Sequence, residues 1–144
     1  MLFTGVCDRA AMPPTRVRIL LADDHEESLN QLVDLLEGEF EIIGLARNGG
    51  EVIELAASLR PDVVVSDLQM PKANGIEVTR TLRERQLCTA VVIVTIDDDA
   101  QLAKVALAAG VLGYVWKLNA GEDLVPAVYS ALEGKVFVSS GIMV

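Results

Sequence analysis

Asp23-Asp24, Asp67, Thr95 and Lys117 are the residues of this 144-residue chain whose types and placing could do chemistry. Each closes a short apolar run rich in β-branched residues. Asp23-Asp24 follow Val17 to Ala22, Asp67 follows Val63 to Ser66, Thr95 ends the run from Ala90, and Lys117 follows Gly113 to Trp116. Carboxylates crowded together repel unless something neutralises them. Hard oxygen donors, with no cysteine and a single histidine nearby, suit Mg²⁺, which prefers octahedral oxygen coordination and keeps several waters. Such an ion leaves positions open for a phosphoryl oxygen. Lys117 adds a point charge and Thr95 a hydroxyl donor. An acceptor carboxylate, a metal and charge-stabilising donors make up a phosphoryl-transfer site, with Asp67 as the nucleophile.

For these tips to meet, the chain must bring separate strands side by side. Period-2 and period-3.6 patterns alternate from Arg16 onward. Strands are predicted over Val17 to Ala22, Phe40 to Ala46, Val63 to Ser66, Ala90 to Thr95 and Gly113 to Trp116. Helices are predicted over Glu27 to Leu36, Gly50 to Leu59, Gly75 to Arg85, Asp99 to Ala109 and Glu122 to Glu133. Leu29, Leu32, Val33 and Leu36 form an apolar stripe in the first helix, and Leu102, Val105, Ala106 and Ala109 repeat the spacing in the fourth. Strict alternation with short connections implies right-handed crossovers and a five-stranded, doubly wound parallel sheet with helices on both faces. Such sheets bind ligands outside the carboxyl ends of their strands. In strand order 2-1-3-4-5 the first and third strands are neighbours, so the three carboxylates converge.

Composition fits that α/β reading. Hydrophobic residues make up 51% and aromatics only 4%, as expected for a core of Val, Leu, Ile and Ala between helices. The longest notable uncharged run, Val105 to Trp116, spans twelve residues, too short for a membrane span of about 20. The first fifteen residues lack a secretory pattern, and Met12-Pro13-Pro14 reads as a flexible lead-in, so a cytoplasmic protein is expected. Cys7 and Cys88 have no metal-ligand spacing and are expected reduced. A net charge of −9 argues against this chain gripping nucleic-acid phosphates by bulk electrostatics.

The combination of Asp23-Asp24, Asp67 with Met70-Pro71 and Gly75, Thr95, Tyr114 and Lys117 resembles the receiver domains of two-component response regulators. The likeness runs from Arg16 to about Glu133. "LADDH", "GYVWK" and "ALEGKVFVSSGI" resemble the subgroup whose receiver precedes a C-terminal LuxR-type helix-turn-helix. The resemblance implies a flavodoxin-like fold and a phosphorylation-dependent switch served by a sensor histidine kinase. It implies Asp67 as phosphoacceptor, with Asp24, Asp67 and the backbone carbonyl of Gln69 binding Mg²⁺ directly and Asp23 acting largely through water. Thr95 is then the switch hydroxyl, Lys117 the phosphate-binding lysine and Tyr114 the rotating aromatic. The expected organisation is a leader over 1–15, a receiver over 16–134 and the start of a linker over 135–144. A homodimer is expected, and DNA is expected to be reached only through an output domain absent from the chain.

Two departures bear on the site. Leu118 follows the lysine where the family often has a cis proline. A cis bond there would cost about 2.5–4 kcal/mol, so a trans peptide is predicted. Ile96 is large where a small residue is usual, which would screen the phosphoryl group from water or its donor. His25 reads as a solvated loop residue, Asp97 to Asp99 as a helix start and Trp116 as core. Other functions fare less well. An aspartate-nucleophile phosphatase needs a second acid two residues after the nucleophile, and that position is Gln69. No G-x-G-x-x-G follows the first strand. The remaining alternative is a phosphorylation-independent dimerisation or docking module on the same fold.

Overall fold

The structure is a computed structural model that describes residues 16–88 and 90–142. Cys7 and the Met12-Pro13-Pro14 lead-in lie outside the described residues. The β-branched runs form strands and the amphipathic runs form helices in alternation. The order is β1 (Arg18–Ala22), α1 (Glu26–Leu36), β2 (Glu41–Ala46), α2 (Gly49–Leu59), β3 (Val63–Asp67), α3 (Gly75–Glu84), β4 (Val91–Thr95), α4 (Ala100–Ala109), β5 (Gly113–Trp116), α5 (Ala120–Leu132) and β6 (Phe137–Val138). All ladders are parallel.

The sheet has six strands rather than five, in order 2-1-3-4-5-6. The extra edge strand is held by the Phe137 amide donating to the Leu112 carbonyl at 2.8 Å and the Ser139 amide donating to the Tyr114 carbonyl at 3.0 Å. A strand of two residues leaves too little alternation to be read locally. Tertiary pairing with β5 creates it.

Because successive strand residues point to opposite faces, the sheet feeds separate cores. Ile19, Leu21, Val63, Val65, Val92 and Val94 pack under α1 and α5. Leu20, Ala22, Val64 and Val91 pack under α2 and α3. Ile93 and Tyr114 meet Ala103 and Ala106 of α4, together with Ile142 from beyond β6. The α1 stripe is placed as its spacing predicts, with Leu29, Leu32 and Leu36 buried. The α4 stripe is placed in part. Ala106 is buried and Leu102 and Ala109 pack against the core, but Ala103 is buried where Val105 was expected, and Val105 is 46% exposed.

Helix starts follow their capping chemistry. The Asn48 side chain accepts from the Glu51 amide, Asn74 and Glu77 form a reciprocal capping box, and Asp99 accepts from the Gln101 amide. Pro126 lies inside α5, removing one amide donor without ending the helix. After Lys117 the chain makes a single 3₁₀ turn, and among the described residues no peptide bond is cis, in line with the prediction for Leu118.

Gly49 opens α2 against the loop that follows β3. Its amide donates to the Pro71 carbonyl at 3.1 Å, and a Cβ there would collide with the Ala73 carbonyl oxygen and stand 2.6 Å from the Ala73 Cβ. A Cβ on Gly121, in the first turn of α5, would meet nothing within 4 Å. Gly49→Ala is therefore expected to lose about 1–3 kcal/mol of stability through overpacking. Gly121→Ala should be neutral or gain up to about 1 kcal/mol from helix propensity. Urea unfolding of both variants checks the contrast.

Candidate functional site

Register decides which tips meet. Ala22 pairs with Ser66 across β1 and β3, so Asp23 and Asp67 leave adjacent strands at the same level. Asp67 pairs with Val94, one residue before Thr95, and Thr95 pairs with Trp116, one residue before Lys117. Lys117 thus reaches back across β4. Its Nζ donates to Asp23 Oδ2 at 2.9 Å and to Asp67 Oδ2 at 3.5 Å. Asp23 is fully buried and Asp67 nearly so, at 6% exposed. One ammonium is shared by two buried carboxylates.

The two acids differ in electrostatic state. Burial pushes Asp23 upward, but the Ser28 side chain, the His25 amide and the Lys117 ammonium outweigh it and hold the carboxyl below its ordinary value. The His25 amide donates to Asp23 Oδ1 at 2.9 Å. For Asp67, burial dominates and raises the value. The Lys117 charge and the Leu68 and Gln69 amides oppose the rise, while the Asp23 charge adds to it.

Asp24 completes the acid cluster. One ligand oxygen from each of Asp23, Asp24 and Asp67, with a ring nitrogen of His25, lie within 4.8 Å of one another. Asp24 Oδ1 is buried without a hydrogen-bond partner. An orphaned carboxylate oxygen facing other acids is costly unless a cation completes it. The donor set suits a hard divalent ion such as Mg²⁺. His25 Nδ1 stands 3.2 Å from Asp24 Oδ1, although its side chain is 73% exposed. The sequence places His25 in solvent, and the structure places it there beside the acids.

The cleft at this edge, about 480 Å³, is lined by His25, Glu27, Ser28, Gln31, Asp67, Gln69, Ile96, Lys117 and Leu118. Gln69 is thus at the site. Ile96 and Leu118, each 77% exposed, give the rim an apolar side. Thr95 is fully buried, and its Oγ1 accepts from the Asp97 amide at 3.0 Å, which leaves the hydroxyl proton free to donate. Tyr114 does not line the cleft. It is buried in the α4 core with its hydroxyl unpartnered, and its pKa is pushed up to about 12 by burial and by the charges of Asp97 and Asp99.

Sequence reasoning missed Ser28. It sits in the first turn of α1, four residues after the acid pair, and only the way α1 begins over the acids reveals its role. Sequence reasoning also placed Trp116 in the core, whereas the ring is half-buried and its Nε1 donates to the Ile96 carbonyl at 3.2 Å.

Fold and cleft together define a flavodoxin-like α/β domain with an acid pocket at the carboxyl edge of its sheet. Residues 19–129 match the family described as the response regulator receiver domain. The chain is 35% identical over 127 residues to the nitrate/nitrite response regulator NarL of Escherichia coli, covering 86% of this chain and 58% of that one. It is 31% identical to the response regulator GacA of Pseudomonas aeruginosa, over 88% of this chain and 60% of that one. The chain therefore spans well under two thirds of these relatives. Among solved structures, a LuxR-family two-component response regulator from Aurantimonas matches with a TM-score of 0.83 and 32% identity, covering 90% of this chain and 93% of that one. The receiver domain of a NarL response regulator from Mycobacterium tuberculosis matches with a TM-score of 0.80 and 29% identity, covering 85% of this chain and all of that one. The chain belongs to the response regulator receiver family of two-component systems. Among the described residues no helix is long and apolar enough to cross a membrane.

The two acids carry opposite pH signatures. Asp67 holds its proton more tightly folded than unfolded, so its contribution is complete below the unfolded value and is lost as the pH rises through the folded one. Asp23 does the reverse, stabilising above the unfolded value and losing that as the pH falls through the folded one. Without added divalent metal, Asp67→Asn should raise the melting temperature at pH 7 by about 3 °C. Asp23→Asn should lower it. The Asp67 difference should fade as the pH falls toward about 4, the unfolded aspartate value, and the Asp23 difference only below it. Calorimetry across pH checks the signs.

Proposed function

We propose that this domain is a phosphorylation-dependent switch that accepts a phosphoryl group on Asp67 from a sensor histidine kinase. The observation that carries the proposal is the Lys117 ammonium held between Asp23 and Asp67 at a strand edge. The ionised Asp67 oxygen attacks phosphorus, the bond from phosphorus to the kinase histidine nitrogen breaks, and that nitrogen keeps the electron pair and takes a proton from solvent. Lys117, within reach of both acids, pairs with the charge arriving on Asp67. Thr95, whose oxygen is occupied by the Asp97 amide, donates its hydroxyl proton to a phosphoryl oxygen.

Asp24, Asp67 and the backbone carbonyl of Gln69 would hold Mg²⁺, with Asp23 acting through water. Bound there, the ion supplies charge neutralisation for the transferring oxygens. The orphaned Asp24 Oδ1 supports that assignment.

The readout on this proposal is the face formed by α4, β5 and α5. Only Ala103 and Ala106 of α4 are fully buried, with Leu102 and Ala109 partly buried, so this helix is held mostly by small side chains and is the element easiest to shift. Tyr114 lies beneath it with a hydroxyl that has no partner, which favours a ring that changes position when the Thr95 loop moves. Such a switch needs about 1–3 kcal/mol of coupling. The chemistry stops at the protein. With Gln69 in place of a second acid, the domain is a phosphoacceptor rather than a turnover enzyme. The wider proposal is a cytoplasmic regulator in which residues 16–134 act as the receiver. Residues 135–144 lead toward an output domain that contacts DNA, and phosphorylation favours a homodimer.

Incubation with Mg²⁺ and a small acyl phosphate should add one phosphoryl group, found by intact mass and lost on Asp67→Asn. Lys117→Ala should slow the modification by about a hundredfold. A wild-type chain left unmodified, or modified equally well as Asp67→Asn, would overturn the assignment.

A further inference from the structure

Trp116, the only tryptophan of the chain, touches both the loop after β4 and the segment after β6. On one side its Nε1 donates to the carbonyl of Ile96, the residue between Thr95 and the Asp97 amide that bonds the Thr95 hydroxyl. On the other side its ring lies against Gly141. A Cβ there would stand 2.7 Å from Cε3 and 2.9 Å from Cζ3, so the ring fits only a glycine. The Trp116 amide donates to Ser139 Oγ at 3.0 Å, and the Ser139 hydroxyl donates to Asp123 Oδ2 of α5 at 2.7 Å. Ile142, 4% exposed, shares a core with Tyr114. The strap from Phe137 to Ile142 is thereby seated on β5 through Trp116, and Trp116 is tied to the loop that carries Thr95.

We propose that Trp116 is a positioning residue that couples the loop carrying Thr95 to the C-terminal strap. The proposal rests on the phosphoacceptor reading above. When Thr95 turns its hydroxyl toward a phosphoryl group on Asp67, the neighbouring Ile96 carbonyl moves. The indole then either follows it or gives up the hydrogen bond. Either response changes how the ring packs on Gly141, because no free space separates them. A coupling between two sites is reciprocal, so unseating the strap also changes how readily Asp67 is modified.

The test uses the whole chain with Mg²⁺ and a small acyl phosphate, reading Asp67 modification by mass and the strap by amide hydrogen exchange. The Phe137, Ser139 and Ile142 amides are bonded to the Leu112, Tyr114 and Ser139 carbonyls, so their exchange reports the seat. In the wild type, modification is expected to change strap exchange by about fivefold or more. Trp116→Phe keeps an aromatic residue on β5 but removes the N–H donor and cuts back the ring whose Cε3 and Cζ3 face Gly141, so both ends of the link are weakened together. It should be modified on Asp67 while its strap exchange stays the same before and after modification, a difference that a purely structural loss would leave intact. From the other end, Gly141→Ala should change the rate of Asp67 modification by about fivefold. A Trp116→Phe strap that still responds like the wild type, or a Gly141→Ala rate equal to wild type, overturns the coupling alone. Absence of Asp67 modification in the wild type overturns the phosphoacceptor reading and the coupling with it.

Discussion

Two carboxylates at the tips of adjacent parallel strands share one ammonium, and the site depends on that sharing. Asp23 and Asp67 come from stretches more than forty residues apart, and Lys117 from a third stretch fifty residues beyond Asp67. Each position is fixed by sheet register rather than by any local motif. A one-residue slip of β3 against β1 would turn every β3 side chain to the other face and carry Asp67 away from Lys117. The same valines that fill the two faces of the sheet therefore also aim the acids. Hydrophobic packing and site geometry are one constraint here.

The sharing is unequal. Asp23 takes the shorter contact with Lys117 and adds the His25 amide and the Ser28 side chain, so its charge is well compensated. Asp67 keeps the longer contact and remains under-compensated in its burial. That asymmetry suits the proposed division of labour. An acid whose ionised form is already satisfied serves as a fixed electrostatic wall. One that is not has more to gain from a cation or a new bond.

Much of this was legible in the sequence because the informative features are local. An apolar run ending on a charge reads as a strand tip, and strict alternation of strand and helix leaves few topologies. The α1 stripe was legible for the same reason. What escaped was whatever depends on a distant partner. β6 exists only because β5 offers an unpaired edge. The stripe predicted for α4 failed at Val105, which turns outward while Ala103 takes the buried place over Ile93 and Tyr114. Trp116 looked like core from its apolar neighbours, yet its N–H needs an acceptor, and the nearest is a carbonyl twenty residues away. Ser28 carries no signal until α1 is seen to begin over the acids.

The distribution of packing bears on how the proposed charge event at Asp67 would reach the surface without unfolding the domain. β1, β3 and β4 are buried on both sides and held by helices that present leucine and valine, so the strand tips stay in place when charge is added. α4 presents mostly alanines and a half-buried Leu102 to the sheet, over a tyrosine whose hydroxyl has no partner. That region is under-packed in apolar area and unsatisfied in polar terms. A rearrangement there gives up few contacts and has one hydrogen bond to gain. A rigid acid pocket beside a loosely seated helix has a single soft direction. On the proposed function, charge added at the pocket would therefore be relieved by movement of the Thr95 loop and α4 rather than by spreading through the sheet.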